Sequence, residues 1–207
     1  MNKLLTLSIA ETQPNHYNII AMDARTRNLV ALSLSRNEII SPEGIIHWDI
    51  GKYTKVTELT KEPGSLKNIT YRPENFELLA NEQINLKSVL EDSLSLSEDF
   101  FNLKGNNFVI LKAKNVADIV SKTTNGHTNY HMYIVFSDNI HAAPRRILNK
   151  DYRWVNYWQR VPKGKFEETK NKYCALFNKP GKDLYLILYR FYFGNGPQEW
   201  ITGIHWI

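Results

Sequence analysis

The side chains best suited to act on a partner lie between His141 and Lys182. That stretch carries eleven lysines and arginines against three acids, a balance of +8 where the whole chain carries +5. Tyr152, Trp154, Tyr157 and Trp158 are interleaved with them. Cations attract a phosphate backbone, and flat aromatic faces stack on unpaired bases. The leading contact group is Trp154, Tyr157, Trp158 and Arg160, joined by Arg145, Arg146, Arg153, Lys163 and Lys165. Arg145 and Arg146 follow Pro144 and are expected on a loop, where charge can meet phosphate. The competing reading packs both tryptophans in the core, because an indole contributes a large apolar area, and leaves the flanking cations solvated.

Other groups are weaker. In an extended strand His127 and His131 fall on one face. That placement permits metal ligation with help from Asp138 or His141, but too few ligands are at hand for it to be expected. The same pair could serve as acid and base in a metal-independent nuclease, with Lys150 or Arg153 stabilising the developing phosphate charge. Cys174, the single cysteine, forms no internal disulfide and is expected to be an inert, buried thiol. No phosphate-loop, dinucleotide-binding, zinc-protease or serine-hydrolase pattern occurs. No catalytic residue, metal or cofactor is implied.

The elements that must position these groups read as mostly β. Short apolar runs separated by turn signals begin at residues 3–10, 17–23 and 29–34, a pattern of hairpins rather than βαβ units. Ser41-Pro42-Glu43-Gly44 marks a turn, and residues 52–59 alternate as a strand until Lys61-Glu62-Pro63-Gly64-Ser65 stops it. Pro73 stiffens the start of the next element. A short helix is expected near Asn85, followed by an acidic connector and a lobe boundary. A second series opens at residues 107–115, with 116–121 either a short helix or an edge strand. Asn125-Gly126 is a hairpin signal leading into 130–136. Residues 151–158 fit either a strand, which places Tyr152, Trp154, Asn156 and Trp158 on one side, or a helix, which stacks Trp154 and Trp158 on one face. Residues 165–176 predict a helix, and 183–193 and 199–207 a terminal strand pair around a glycine turn.

Charge divides unevenly along these two series. Residues 1–100 hold ten bases and fourteen acids, and residues 101–207 sixteen and seven, or −4 against +9. A polyanion would therefore meet the second half, although a sequence pI near 9.1 also fits a merely solvated surface. The first fifteen residues are too short an apolar run to span a membrane and too polar afterwards for a usual secretion signal. An intracellular, cytoplasmic protein with no membrane partner is the expectation.

Three places together carry a family resemblance: the opening strand with its partner Ile19-Ile20-Ala21-Met22-Asp23, the Tyr71-Arg72-Pro73-Glu74-Asn75-Phe76 element, and the terminal pair around Leu184–Phe193 and Trp200–Ile207. The chain resembles the prokaryotic dual-OB-containing family. That resemblance implies two small barrels in tandem and nucleic-acid binding, with no catalytic residue to carry over. The loop in which such proteins tend to hold a basic stretch is here Glu11-Thr12-Gln13, so phosphate contact is assigned to the second lobe.

The sequence thus predicts a mainly β chain of two tandem OB-like small barrels with short helices, covering residues 1–90 and 105–207. It predicts non-catalytic binding of single-stranded nucleic acid, DNA or RNA, by the basic, aromatic surface of the second lobe. The alternatives are a protein-interaction or accessory-subunit module, with a protein partner, and the metal-independent nuclease built on His127 and His131.

Overall fold

The computed structural model describes residues 2–63, 69–95, 100–102, 107–124, 127–137, 144–193 and 196–207; within these, the side chains of 122–124, 127–133, 135, 137, 163 and 193 lie outside the description. The expected hairpin turns at Asn125-Gly126 and Gly194-Asn195 fall outside it too. The chain divides into two compact units, Met1–Val89 and Leu90–Ile207.

In the first unit β1 (Asn2–Gln13), β2 (His16–Asp23), β3 (Leu29–Ser35), β4 (Tyr53–Lys61) and β5 (Tyr71–Leu79) close into a barrel, with the short α1 (Arg36–Ile39) after β3. The order around the barrel is β1-β2-β3-β5-β4, and β3 meets β5 in parallel while the other pairs run antiparallel. That is the strand order of an OB barrel. β1 serves two neighbours: Asn2–Leu5 pair with β4, and Leu4–Gln13 with β2. A register shift between Thr6 and Ser8 falls where the strand passes from one neighbour to the other, and bulges of this kind bend a strand. Asn15 turns β1 into β2 at φ 63, a left-handed conformation that asparagine tolerates well. Pro73 sits inside β5 opposite Leu59, rather than before it. β5 touches β3 only at Tyr71, so the N–H that Pro73 lacks is not needed there. Leu5, Leu7, Ile19, Leu32, Trp48 and Val56 are among the buried side chains.

The second unit repeats the plan with one change. Its sheet runs β6 (Phe108–Ala113), β10 (Leu184–Phe193), β11 (Gly196–Trp206), β9 (Arg145–Asn149), β8 (His127–Ser137), β7 (Asn115–Thr124). β9 and β11 are parallel and the other neighbours antiparallel. The two outer strands, β6 and β7, are separated in the chain only by Lys114. Taken as the halves of one bent strand, they give the first unit's order again, with β7 on the second strand and β6 on the fourth. A register shift in β7 between Val116 and Asp118 adds to the bend. Residues 116–121 are therefore strand, as the second of the two expectations had it.

Three further helices lie wholly within the described residues. α2 (Leu86–Asp92) spans the unit boundary, while α3 (Tyr152–Gln159) and α4 (Phe166–Phe177) lie between β9 and β10, joined by a 3-10 turn at Lys163–Lys165. α3 packs on β8 and α4 on β7. Trp158 and Phe177 join Ile119, Ile134, Leu186 and Ile201 in one core, with Trp154, Phe166, Tyr173 and Cys174 packed against it. No helix among the described residues is long and apolar enough to cross a membrane.

Candidate nucleic-acid interface

Asp151 organises the segment on which the candidate residues sit. It precedes α3 as its N-cap, and its Oδ1 accepts from the Arg153 backbone N–H at 3.0 Å, satisfying one of the helix's orphan donors. The carboxylate is fully buried. It also accepts from Arg153 Nε at 3.3 Å, Arg153 Nη2 at 3.0 Å and the Ile204 N–H at 2.8 Å. Arg153 Nη2 in turn donates to the Ile204 carbonyl at 2.8 Å. Arg153 thus ties α3 to β11, and its guanidinium is committed to a buried carboxylate. Such a pair is costly to break from one side. The sequence held a signal for this, an aspartate just ahead of a run with aromatic residues four apart.

Helix formation decides the fate of the tryptophans. Residues 152–159 are helical, so Trp154 and Trp158 share a face, and that face meets the core of the second unit. Trp158 is 3% exposed, with Phe166, Tyr157 and Tyr173 rings at 5.3, 5.7 and 5.8 Å. The expectation that it stacks on a base is corrected: it is a core residue. Trp154 is half-buried and meets Tyr173 and Phe177 edge-on at 5.1 and 5.2 Å. Tyr157 differs. It is 39% exposed and braced from behind by Trp154 at 6.1 Å and Tyr173 at 5.3 Å. Burial, followed by a hydrogen bond with Tyr157, pushes the Tyr173 phenol up to about 12. Burial also pushes the Cys174 thiol up, in keeping with an unreactive packing role.

The cations separate in the same way. Arg145 and Arg146 lie on β9, not on a loop. β9 exists because it is held between β8 and, over two residues, β11. Alternation turns Arg146 outward, exposed, and leaves Arg145 half-buried with its guanidinium 3.6 Å from the Phe101 ring centroid. Arg160 is exposed at the end of α3. Lys165 is exposed and its Nζ pairs with Glu168 at 2.8 Å. Lys163 lies in the 3-10 turn, its side chain outside the description. β8 carries His127 and His131 opposite Thr124 and Lys122; their side chains are likewise outside it. No group of three or more metal-ligating side chains occurs among the described residues.

One charged cluster had no sequence signal. Arg190 is fully buried on β10, with its guanidinium 4.2 Å from the Phe100 ring centroid. None of its guanidinium nitrogens makes a hydrogen bond. Its register partner Glu199 lies 3.8 Å away. Burial raises the Glu199 carboxyl, against the attraction of Arg190 and Arg145.

The structure therefore leaves Arg146, Tyr157, Arg160 and Lys165 exposed on the second unit, turns Trp154 and Trp158 into supports, and keeps Arg153 at the surface with its guanidinium held by Asp151. No family model and no curated protein matches the chain. Among solved structures it is similar to the p204 HINb domain, at 10% identity and a TM-score of 0.42, over 99% of this chain and 94% of that one. It is also similar to a murine DNA-binding protein bound to double-stranded DNA, at 9% identity and a TM-score of 0.39, over 99% and 92%. Likenesses this slight carry no argument about function, and the barrel order rests on strand pairing alone.

Proposed function

We propose that the second unit binds single-stranded nucleic acid, without catalysis, through a basic and aromatic surface centred on Arg146, Tyr157 and Arg160. The observation that carries this reading is the exposure of those three side chains beside the second and third strands of an OB-ordered sheet. The strand 2–3 face is where such barrels commonly hold oligonucleotides. Arg146 and Arg160 would hold phosphates, and the Tyr157 ring would stack on a base with little sequence preference. Arg145, Lys163 and Lys165 flank this centre, whereas Arg153, Trp154 and Trp158 act by holding α3 in place. Two units of one strand order also support placing the chain with the prokaryotic dual-OB proteins it resembles.

The test is fluorescence anisotropy of labelled single- and double-stranded DNA and RNA at low and near-physiological salt. Tight binding of one single-stranded form, falling steeply with salt, is the expected outcome. Absence of binding even at low salt would leave the cations as a solvated face. A second reading, a protein partner for the first unit, is favoured by Ile40, Ile45 and Ile46, which are all exposed after α1. Stoichiometric co-purification of a protein, lost on changing Ile45 and Ile46 to serine, would establish it.

A further inference from the structure

A cavity of about 430 Å³ lies at the far end of α4 from Lys165. The helix's twelve residues set the two ends roughly 18 Å apart. Lys112, Lys114, Lys179 and Lys182 all line this cavity. They come from two places distant in sequence. Lys112 and Lys114 flank Ala113 at the bend between β6 and β7. Lys179 and Lys182 are the ends of a Lys-Pro-Gly-Lys turn, in which Gly181 has φ +81. Proline followed by a positive-φ glycine is the pattern of a type II turn, whose end residues lie within about 7 Å of each other.

The walls are fixed. Asn178, just past α4, accepts from the Val116 N–H at 2.8 Å and donates to the Val116 carbonyl at 2.8 Å. It pins the helix end to β7 immediately beyond the lysine bend. The cavity is thus built between two packed elements rather than on a free loop.

Its charge is uncompensated. Asp183 is the one carboxylate among the lining residues, and its Oδ1 is 2.6 Å from Lys112 Nζ. No carboxylate pairs with Lys114, Lys179 or Lys182 among the described residues; the Lys182 ammonium lies 5.6 Å from the Trp206 ring centroid instead. The C-terminus of α4 supplies roughly half a negative charge, well short of three ammoniums. Ammoniums are compact point charges that suit a tetrahedral phosphate. A phosphomonoester brings about −1.5 to −2 charges near neutrality, close to the surplus. The cavity exceeds what a phosphate alone needs and falls within the range of about 300–1,000 Å³ typical of small-molecule sites. Phe177, Pro180 and Leu184 supply apolar wall for the rest of the ligand.

We propose that this cavity is a second anion site, separate from the β9–α3 surface, that takes a phosphomonoester of nucleotide size. Isothermal titration calorimetry of the full chain with adenosine 5′-monophosphate, inorganic phosphate and adenosine tests it, at about 0.15 M salt. The monophosphate should bind saturably, phosphate more weakly and adenosine not at all. Lys114→Gln, Lys179→Gln and Lys182→Gln together should weaken the monophosphate by about tenfold or more, and each single change by less. Arg146→Gln with Arg160→Gln should leave it unaltered. No saturable binding, equal binding of adenosine, or undiminished affinity in the lysine variants would overturn the proposal. So would loss of binding in the arginine variant, which would assign the ligand to the other surface.

Discussion

The two units share one strand order and differ most in what joins the third strand to the fourth. In the first unit that connection is seventeen residues, 36–52, with one turn of helix. In the second it is thirty-four, 150–183, and holds α3 and α4. The first closes β1 with a bulge inside a continuous strand, whereas the second breaks the equivalent strand at Lys114. Charge follows the same division. Residues 1–89 contain ten bases and ten acids, and residues 90–207 sixteen and eleven. The acidic excess of the first hundred residues thus belongs to Glu91, Asp92, Glu98 and Asp99, past the first barrel. Strand order supplies a scaffold, while the inserted helices decide which surface the scaffold presents. In the second unit they fill the core with aromatic rings and leave Tyr157 and two arginines outside.

The comparison breaks most readily at Trp158. Trp158→Ala removes a buried indole from the second core and should cost about 3–5 kcal/mol, read by chemical denaturation. Hydrogen exchange should accelerate in β8, β10 and α3 but not in the first barrel. An unchanged midpoint would mean that α3 is not part of the core. Arg190→Met replaces a buried, hydrogen-bond-poor charge with an apolar chain of similar length. Paired with Glu199→Leu, so that neither charge of the pair is stranded, it should be neutral or stabilising by about 1–4 kcal/mol, whereas Arg190→Met alone should destabilise; marked destabilisation by the double change would contradict this. Tyr157→Ala should weaken single-strand binding by roughly 1–3 kcal/mol in anisotropy titrations, while moving the unfolding midpoint less than Trp158→Ala. Arg146→Gln with Arg160→Gln should flatten the plot of log affinity against log salt by about 1.4, roughly 0.7 per lost phosphate contact.

The smallest effect is alkaline. Tyr173 ionises at about 12 in the fold, above the 10.0 usual for a phenol. A raised pKa means that the folded state holds its proton more tightly than the unfolded chain. Stability is therefore fully present below pH 10 and is lost as pH rises from 10 through 12. Tyr189, also pushed up to about 12 by burial, adds to the same loss. Tyr173→Phe should shrink that loss in pH-dependent denaturation, and an identical pH profile would contradict the assignment.

Strands with a local signature were legible in the sequence. β1 to β4, β10 and β11 are apolar or alternating runs between turn residues, and α4 was legible by its spacing. β9 was not, because Arg145-Arg146-Ile147-Leu148-Asn149 has little strand pattern of its own and becomes a strand through its neighbours. The joint role of β6 and β7 in closing the second sheet was equally hidden, since it depends on pairing with β10 and β8 far along the chain. The cluster of basic and aromatic residues was legible as composition, but not as surface. Trp154 and Trp158 at a spacing of four fit a helical face, and Asp151 supplied the cap, yet only packing shows that this face turns inward. Arg153 likewise looked like a phosphate contact because it stays exposed, and the burial of Asp151, which holds its guanidinium, is not written locally.

We propose that one unit of the two, the second, engages nucleic acid, through the elements between its second and fourth strands. Hydrogen–deuterium exchange of the full chain, with and without saturating single-stranded oligonucleotide, tests it most directly. The account predicts slowed exchange across β9, α3 and the turn at Lys163–Lys165, with β2 to β4 of the first barrel unaltered. Protection centred on the first barrel, or none anywhere under conditions in which the oligonucleotide is bound, would contradict it.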